Sequence, residues 1–89
     1  MSLPGRPIAG RLIEGRWEVL REAPVGHGQR LLLAHDPGHI NSKWHSPEPY
    51  VTWLEADDGD PAPFAGHYFA TLLKAEADFT LRFNHETRR

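Results

Sequence analysis

From Thr71 to about His85 the chain contains neither proline nor glycine, and this stretch constrains the fold more than any other. Upstream, no apolar run escapes a nearby Pro or Gly for long, so the only long regular element falls here. At about 100° per residue, Leu72, Ala75, Phe79 and Phe83 lie within one arc of roughly 80°, the pattern of a helix with one buried face. Thr71 is placed to cap it, with Lys74 at the third helical position. Lys74, Asp78 and Arg82 follow one another at i,i+4 and read as an outer charged ladder. A second stripe, Leu73, Ala77 and Leu81, lies to one side of the core arc and leaves Glu76 between two apolar strips.

The shorter runs read as strands. Residues 50–55 (YVTWLE) are rich in β-branched and aromatic side chains, and residues 30–35 (RLLLAH) form a bounded apolar run. A strand is expected from about Trp17 to Glu22, and a short one near His67–Phe69. Residues 23–29 supply hairpin chemistry, and residues 36–49 and 56–66 read as loops. Residues 1–10, with two Pro and two Gly, read as an extended or frayed arm, leaving 11–89 as one domain. The expected fold class is α+β, a three- or four-stranded antiparallel sheet with one C-terminal helix packed on one face. Phe79, Phe83, Leu72, Trp53, Val51, Leu32 and Trp17 should supply its core. The other face of the sheet should be solvated or open to a partner.

Composition narrows the function classes. Without cysteine there can be no disulfide, thiolate zinc site or cysteine nucleophile. The absence of cysteine, of a long apolar run and of an opening signal-peptide pattern leads to the expectation of a cytoplasmic protein, with no membrane span. Residues 1–30 carry a net charge of +2 and residues 46–66 carry −5, from Glu48, Glu55, Asp57, Asp58 and Asp60. Such a chain lacks the basic excess that phosphate neutralisation needs, so nucleic acid is not an expected partner. The acidic block reads as a solvated loop or as a face for a basic partner.

No catalytic signature is present: there is no phosphate-cradling glycine loop, no HExxH and no GxSxG elbow. Nor is a cofactor fingerprint present. Six histidines are many for 89 residues. His35 and His39 flank Asp36 at the spacing of a helical metal pair, but Pro37 and Gly38 between them rule the helix out. A site assembled by the fold from His35, His45 and His67 stays open, as does acid–base chemistry by His45 or His67 with Glu76 or Asp36. The segment NSKWHSPEPY (41–50) is the most chemically loaded, so Asn41, Lys43, Trp44, His45 and Tyr50 are candidate binding residues, joined by His67, Asp57 and Asp58.

The motifs NSKWH (41–45), YVTW (50–53) and GHYF (66–69), followed by Ala75, Asp78 and Phe79, resemble a group of small bacterial and phage-type proteins. That group carries an NSKYH-like loop, a YVVW-like strand, a GHYF-like strand and an A-x-x-D-F helix. Trp44 stands where the group has Tyr, and residues 56–65 are longer and richer in proline. The resemblance spans residues 41–83, implies the order strand–strand–helix and a phage-encoded or accessory protein, and identifies no reaction. Three readings of function follow. The first is a small protein-interaction module, an inhibitor or regulator of a larger protein, that uses Trp44 and the acids at 57, 58 and 60. The second is a histidine-based enzyme or metal site, and the third a homodimer through Leu73, Ala77 and Leu81.

Overall fold

The computed structural model describes residues 3–37, 48–56 and 63–88. Their order is β1 (Arg6–Pro7), β2 (Leu12–Ile13), β3 (Trp17–Gly26), β4 (Gln29–His35), β5 (Tyr50–Ala56), β6 (Phe64–Phe69) and α1 (Leu72–Thr87). The fold is α+β, an antiparallel sheet with one C-terminal helix on one face. The sheet has six strands rather than three or four, in the order β1-β3-β4-β5-β6 with β2 also paired to β3. The two extra strands are two-residue bridges, β1 from the segment expected as an arm and β2 from the residues just after it. Arg6 and Pro7 align with Glu22 and Arg21, and Leu12 and Ile13 with Glu18 and Trp17. Elements so short carry no periodicity of their own. They exist because β3 offers them an edge.

Two turns show why β3 reaches Gly26 rather than stopping at Glu22. His27 and Gly28 both take positive φ (55° and 67°), the requirement of a two-residue type I′ hairpin, so Gly26 pairs directly with Gln29. Glu14 and Gly15 also take positive φ, in the three-residue loop that joins Ile13 to its partner Trp17. Pro24 is tolerated inside β3 because β1 extends only to Glu22, leaving that part of the strand an edge.

Alternation then sorts the side chains to two faces. Toward α1 lie Ala23, Val25, Leu31, Leu33 and Leu54, packed with Ala75 and Phe79 and flanked by Leu20, Tyr50, Phe69 and Phe83. Away from it lie Trp17, Val19, Leu32, Ala34, Val51 and Trp53, closed by Ile13 and Ile8. That second face was expected to be open. It is a core of its own, because the chain from Ile8 to Trp17 folds over it. Of the anticipated core, Trp17, Leu32, Val51 and Trp53 belong to this far face and only Phe79 is fully buried under α1. Phe83 is half-buried, and Leu72 keeps 37% of its surface exposed. Trp17 and Trp53 meet edge to face at 5.3 Å, and Tyr68 joins them at 6.0 and 6.3 Å.

Gly5 marks the tightest approach among the described glycines. Its φ is +75°, and a Cβ there would lie 2.1 Å from the Glu22 carbonyl oxygen. Gly5→Ala is therefore expected to cost about 1–3 kcal/mol, since both the backbone angle and the contact must relax. Urea unfolding checks it, and an unchanged midpoint would show that the N-terminal strand adds nothing to stability.

Candidate functional site

Three places combine polar chemistry with position: the contact of α1 with β5 and β6, the charged rim of the far face, and the outer surface of α1. At the first, Thr52 is completely buried on β5. Its hydroxyl donates to Asp78 Oδ2 at 2.7 Å and accepts from Arg82 Nη1 at 3.1 Å, while the same Nη1 donates to the Thr52 carbonyl at 3.0 Å. His67 on β6 lies opposite Thr52 in register, and its Nδ1 stands 3.1 Å from the same Asp78 oxygen. Burial lowers the Arg82 guanidinium from its ordinary pKa, with Asp78 acting in the opposite sense. Three motifs that are separate in sequence thus meet at one point: Thr52 of YVTW, His67 of GHYF and Asp78 of the helix.

This arrangement overturns one expectation. Asp78 and Arg82 are not rungs of an outer ladder; they turn toward the sheet. The carboxylate beside His67 is Asp78, not Glu76, which is half-buried on the helix flank. An imidazole held at Nδ1 by a carboxylate is the geometry of an oriented base or metal ligand. Half of the His67 side chain remains exposed.

On the far face, five charges alternate across the sheet. Arg6 donates to Glu22 at 2.7 and 3.0 Å, Arg30 lies between Glu22 (4.0 Å) and Glu55 (3.4 Å), and Arg11 grips Glu55 with both terminal nitrogens. Glu55 is 3% exposed and belongs to this network rather than to a solvated acidic block. The signal was in the strand: Glu55 is in phase with Val51 and Trp53, so it shares their buried face. Its hydrogen bond raises the Arg11 pKa, against a smaller effect of burial. A cleft of about 210 Å³ lined by Arg6, Glu22, Pro24, Gln29 and Arg30 opens here. It is smaller than ordinary ligand sites, and the Glu22 carboxylate already answers its arginines.

The outer surface of α1 is the third place. Leu73 is 77% exposed and Leu81 68% exposed, with Ala77 exposed between them. The stripe is not beside the core arc. Its centre lies about 160° from that of the buried residues, so the pole of α1 facing away from the sheet is apolar. Phe64 and Tyr68, also large and exposed, stand on β6, which pairs with β5 alone among the described residues.

Of the anticipated binding residues, Asn41, Lys43, Trp44, His45, Asp57 and Asp58 lie outside the described residues, as does Asp60. The stems of the 41–50 segment are tied together, since the Asp36 N–H donates to the Pro49 carbonyl at 2.8 Å. Tyr50 is half-buried on β5, its ring stacked on His35 at 5.0 Å and 23°. It shares the helix-side face with His67. Asp36, buried, takes Arg16 Nε at 2.7 Å rather than standing free beside a histidine pair. Among the described residues no three His, Asp or Glu side chains gather as a metal site, and no helix is long and apolar enough to cross a membrane.

Glu55→Ala is expected to destabilise the fold by about 3 kcal/mol, the low end for a broken buried pair, because Arg11 keeps a third of its side chain in water. Denaturant unfolding reads this directly, and a loss below about 1 kcal/mol would reduce the network to surface pairing. Comparison with known proteins finds no matching family model, no similar curated protein and no similar solved structure.

Proposed function

We propose that this chain is a small protein-interaction module that docks through the outer pole of α1. One observation carries the reading: the surface that should be the most polar part of an amphipathic helix presents Leu73, Ala77 and Leu81 to water. Charged side chains of the same helix, Asp78 and Arg82, are turned inward to Thr52. A helix that served only to cover the sheet would gain solubility from the reverse arrangement. The partner class is a protein surface with an apolar groove or ridge of helical length.

Replacing Leu73 and Leu81 together by Lys leaves the buried face intact, so the variant should fold as the parent does by circular dichroism. Proteins captured from the host by the tagged parent should be lost from this variant. Equal capture by both would overturn the reading.

A second reading rests on His67. Its ring is oriented by Asp78, which in turn is fixed by Thr52 and neighboured by Arg82, a support shell suited to a base or ligand. On this reading, native mass spectrometry of the chain recovered from its host shows a bound metal or small ligand, and His67→Ala removes it. A bare chain mass for the parent would count against it.

A further inference from the structure

We propose that residues 3–13 form a strap that opens from the sheet as one unit, uncovering the Trp17–Trp53 face and the outer edge of β3 while the rest of the fold stays in place. This goes beyond the docking reading, because the strap covers the face of the sheet turned away from α1.

The strap is tied down at points rather than packed in. Among the described residues from 3 to 16 Ile13 alone is buried, and Ile8 adds a half-buried contact. β1 and β2 are two residues each. Between them the Ile8 N–H donates to the Leu20 carbonyl at 3.1 Å, and the Val19 N–H donates to the Arg11 carbonyl at 3.0 Å. Polar side chains at the rim add Arg6 to Glu22, Arg11 to Glu55, and Arg21 Nη1 to the carbonyls of Leu3 and Pro4 at 3.4 and 3.1 Å. Bonds of this kind are exchanged for bonds to water at small net cost. Segments with few buried apolar contacts and hydrogen bonds near the surface are those that open well below the free energy of global unfolding.

What stays behind is self-sufficient. The core under α1 uses no residue before Leu20, so it is complete without the strap. Glu55, 3% exposed, is not stranded when Arg11 leaves. Arg30 stands 3.4 Å from it, and 4.0 Å from Glu22, the acid that Arg6 releases. A buried carboxylate with no other cation would hold the strap shut; this one has a second in place. The hinge is the loop of Glu14 and Gly15, where Glu14 holds φ at 56°, a left-handed conformation that a non-glycine residue relaxes on opening. The open form presents two tryptophans and a strand edge, surfaces that folded proteins keep covered. The strap thus decides when that face is available.

Native-state hydrogen exchange on the full chain tests this. The Ile8 and Val19 amides should share one protection factor, at least about tenfold below that of residues 31–34 in the middle of the sheet. Arg11→Ala should speed Ile8 and Val19 alike, by about tenfold, and leave the β4 amides within about twofold. A side-chain readout is clean because the chain has no cysteine. Val19 and Ala75 have no exposed surface, Val19 on the strap side of the sheet and Ala75 on the buried side of α1. A thiol reagent should label Val19→Cys at least about tenfold faster than Ala75→Cys. Protection of Ile8 and Val19 equal to that of β4, or equal acceleration of both sets by Arg11→Ala, would overturn the strap, because its release would then require global unfolding. Acceleration of Val19 without Ile8, or equal labelling of the two thiols, would overturn it as well, since the segment would then fray residue by residue.

Discussion

Thr52, with no exposed surface, shares its hydroxyl between a helix carboxylate and a helix guanidinium, and that clasp fixes how α1 is rotated on the sheet. The helix has two apolar arcs, and burial alone would favour the one with two phenylalanines. The clasp adds direction to that preference. Asp78 and Arg82 both lie along one edge of the core arc, so satisfying the buried threonine holds that edge against β5 and commits the Phe79 side inward and the Ala77 side outward. A hydrogen-bonded polar group in a core costs little while its partners stay in place and much if they leave. The exposure of Leu73 and Leu81 is therefore a consequence of an anchored orientation.

The far face of the sheet depends on a different device. Among the described residues no helix covers it, and its tryptophans are closed off by the chain that crosses from Ile8 to Trp17. That crossing segment is held by backbone pairing to β3, by the close approach at Gly5 and by Arg11 gripping Glu55. The charges do not lie in the middle of the apolar cluster. They line its rim from Arg6 to Arg11, where water still screens part of each arginine while the carboxylates stay protected. Glu55 thus ties an N-terminal segment to the centre of the sheet across 44 residues of sequence.

The candidate site was partly legible in the chain. His67 was visible as a histidine in a strand-like motif, yet its carboxylate could not be chosen between Glu76 and Asp78 from spacing alone. Helical periodicity puts both on the flanks of the core arc, on opposite sides. Only the position of β6 relative to α1 decides which flank His67 meets. The same ambiguity made Lys74, Asp78 and Arg82 look like an outward ladder, because an i,i+4 series is equally regular whichever way it faces. Glu55 was open to a better reading, since its phase with Val51 and Trp53 is a property of the strand itself.

By itself the sequence determined the local elements: the helix from the absence of Pro and Gly together with the Phe spacing, and a hairpin within residues 23–29 from glycines that accept positive φ. It also determined the strand order leading into the helix and the presence of two apolar arcs on that helix. Local preference and periodicity suffice for these because each acts within a few residues. Tertiary structure decided the number of strands, since two-residue bridges exist only where a neighbouring edge receives them. It decided that both faces of the sheet are buried, that Glu55 is a rim anchor and that the helix points Leu73 and Leu81 outward. Each of these depends on contacts between residues far apart in the chain, whose energies no local pattern records.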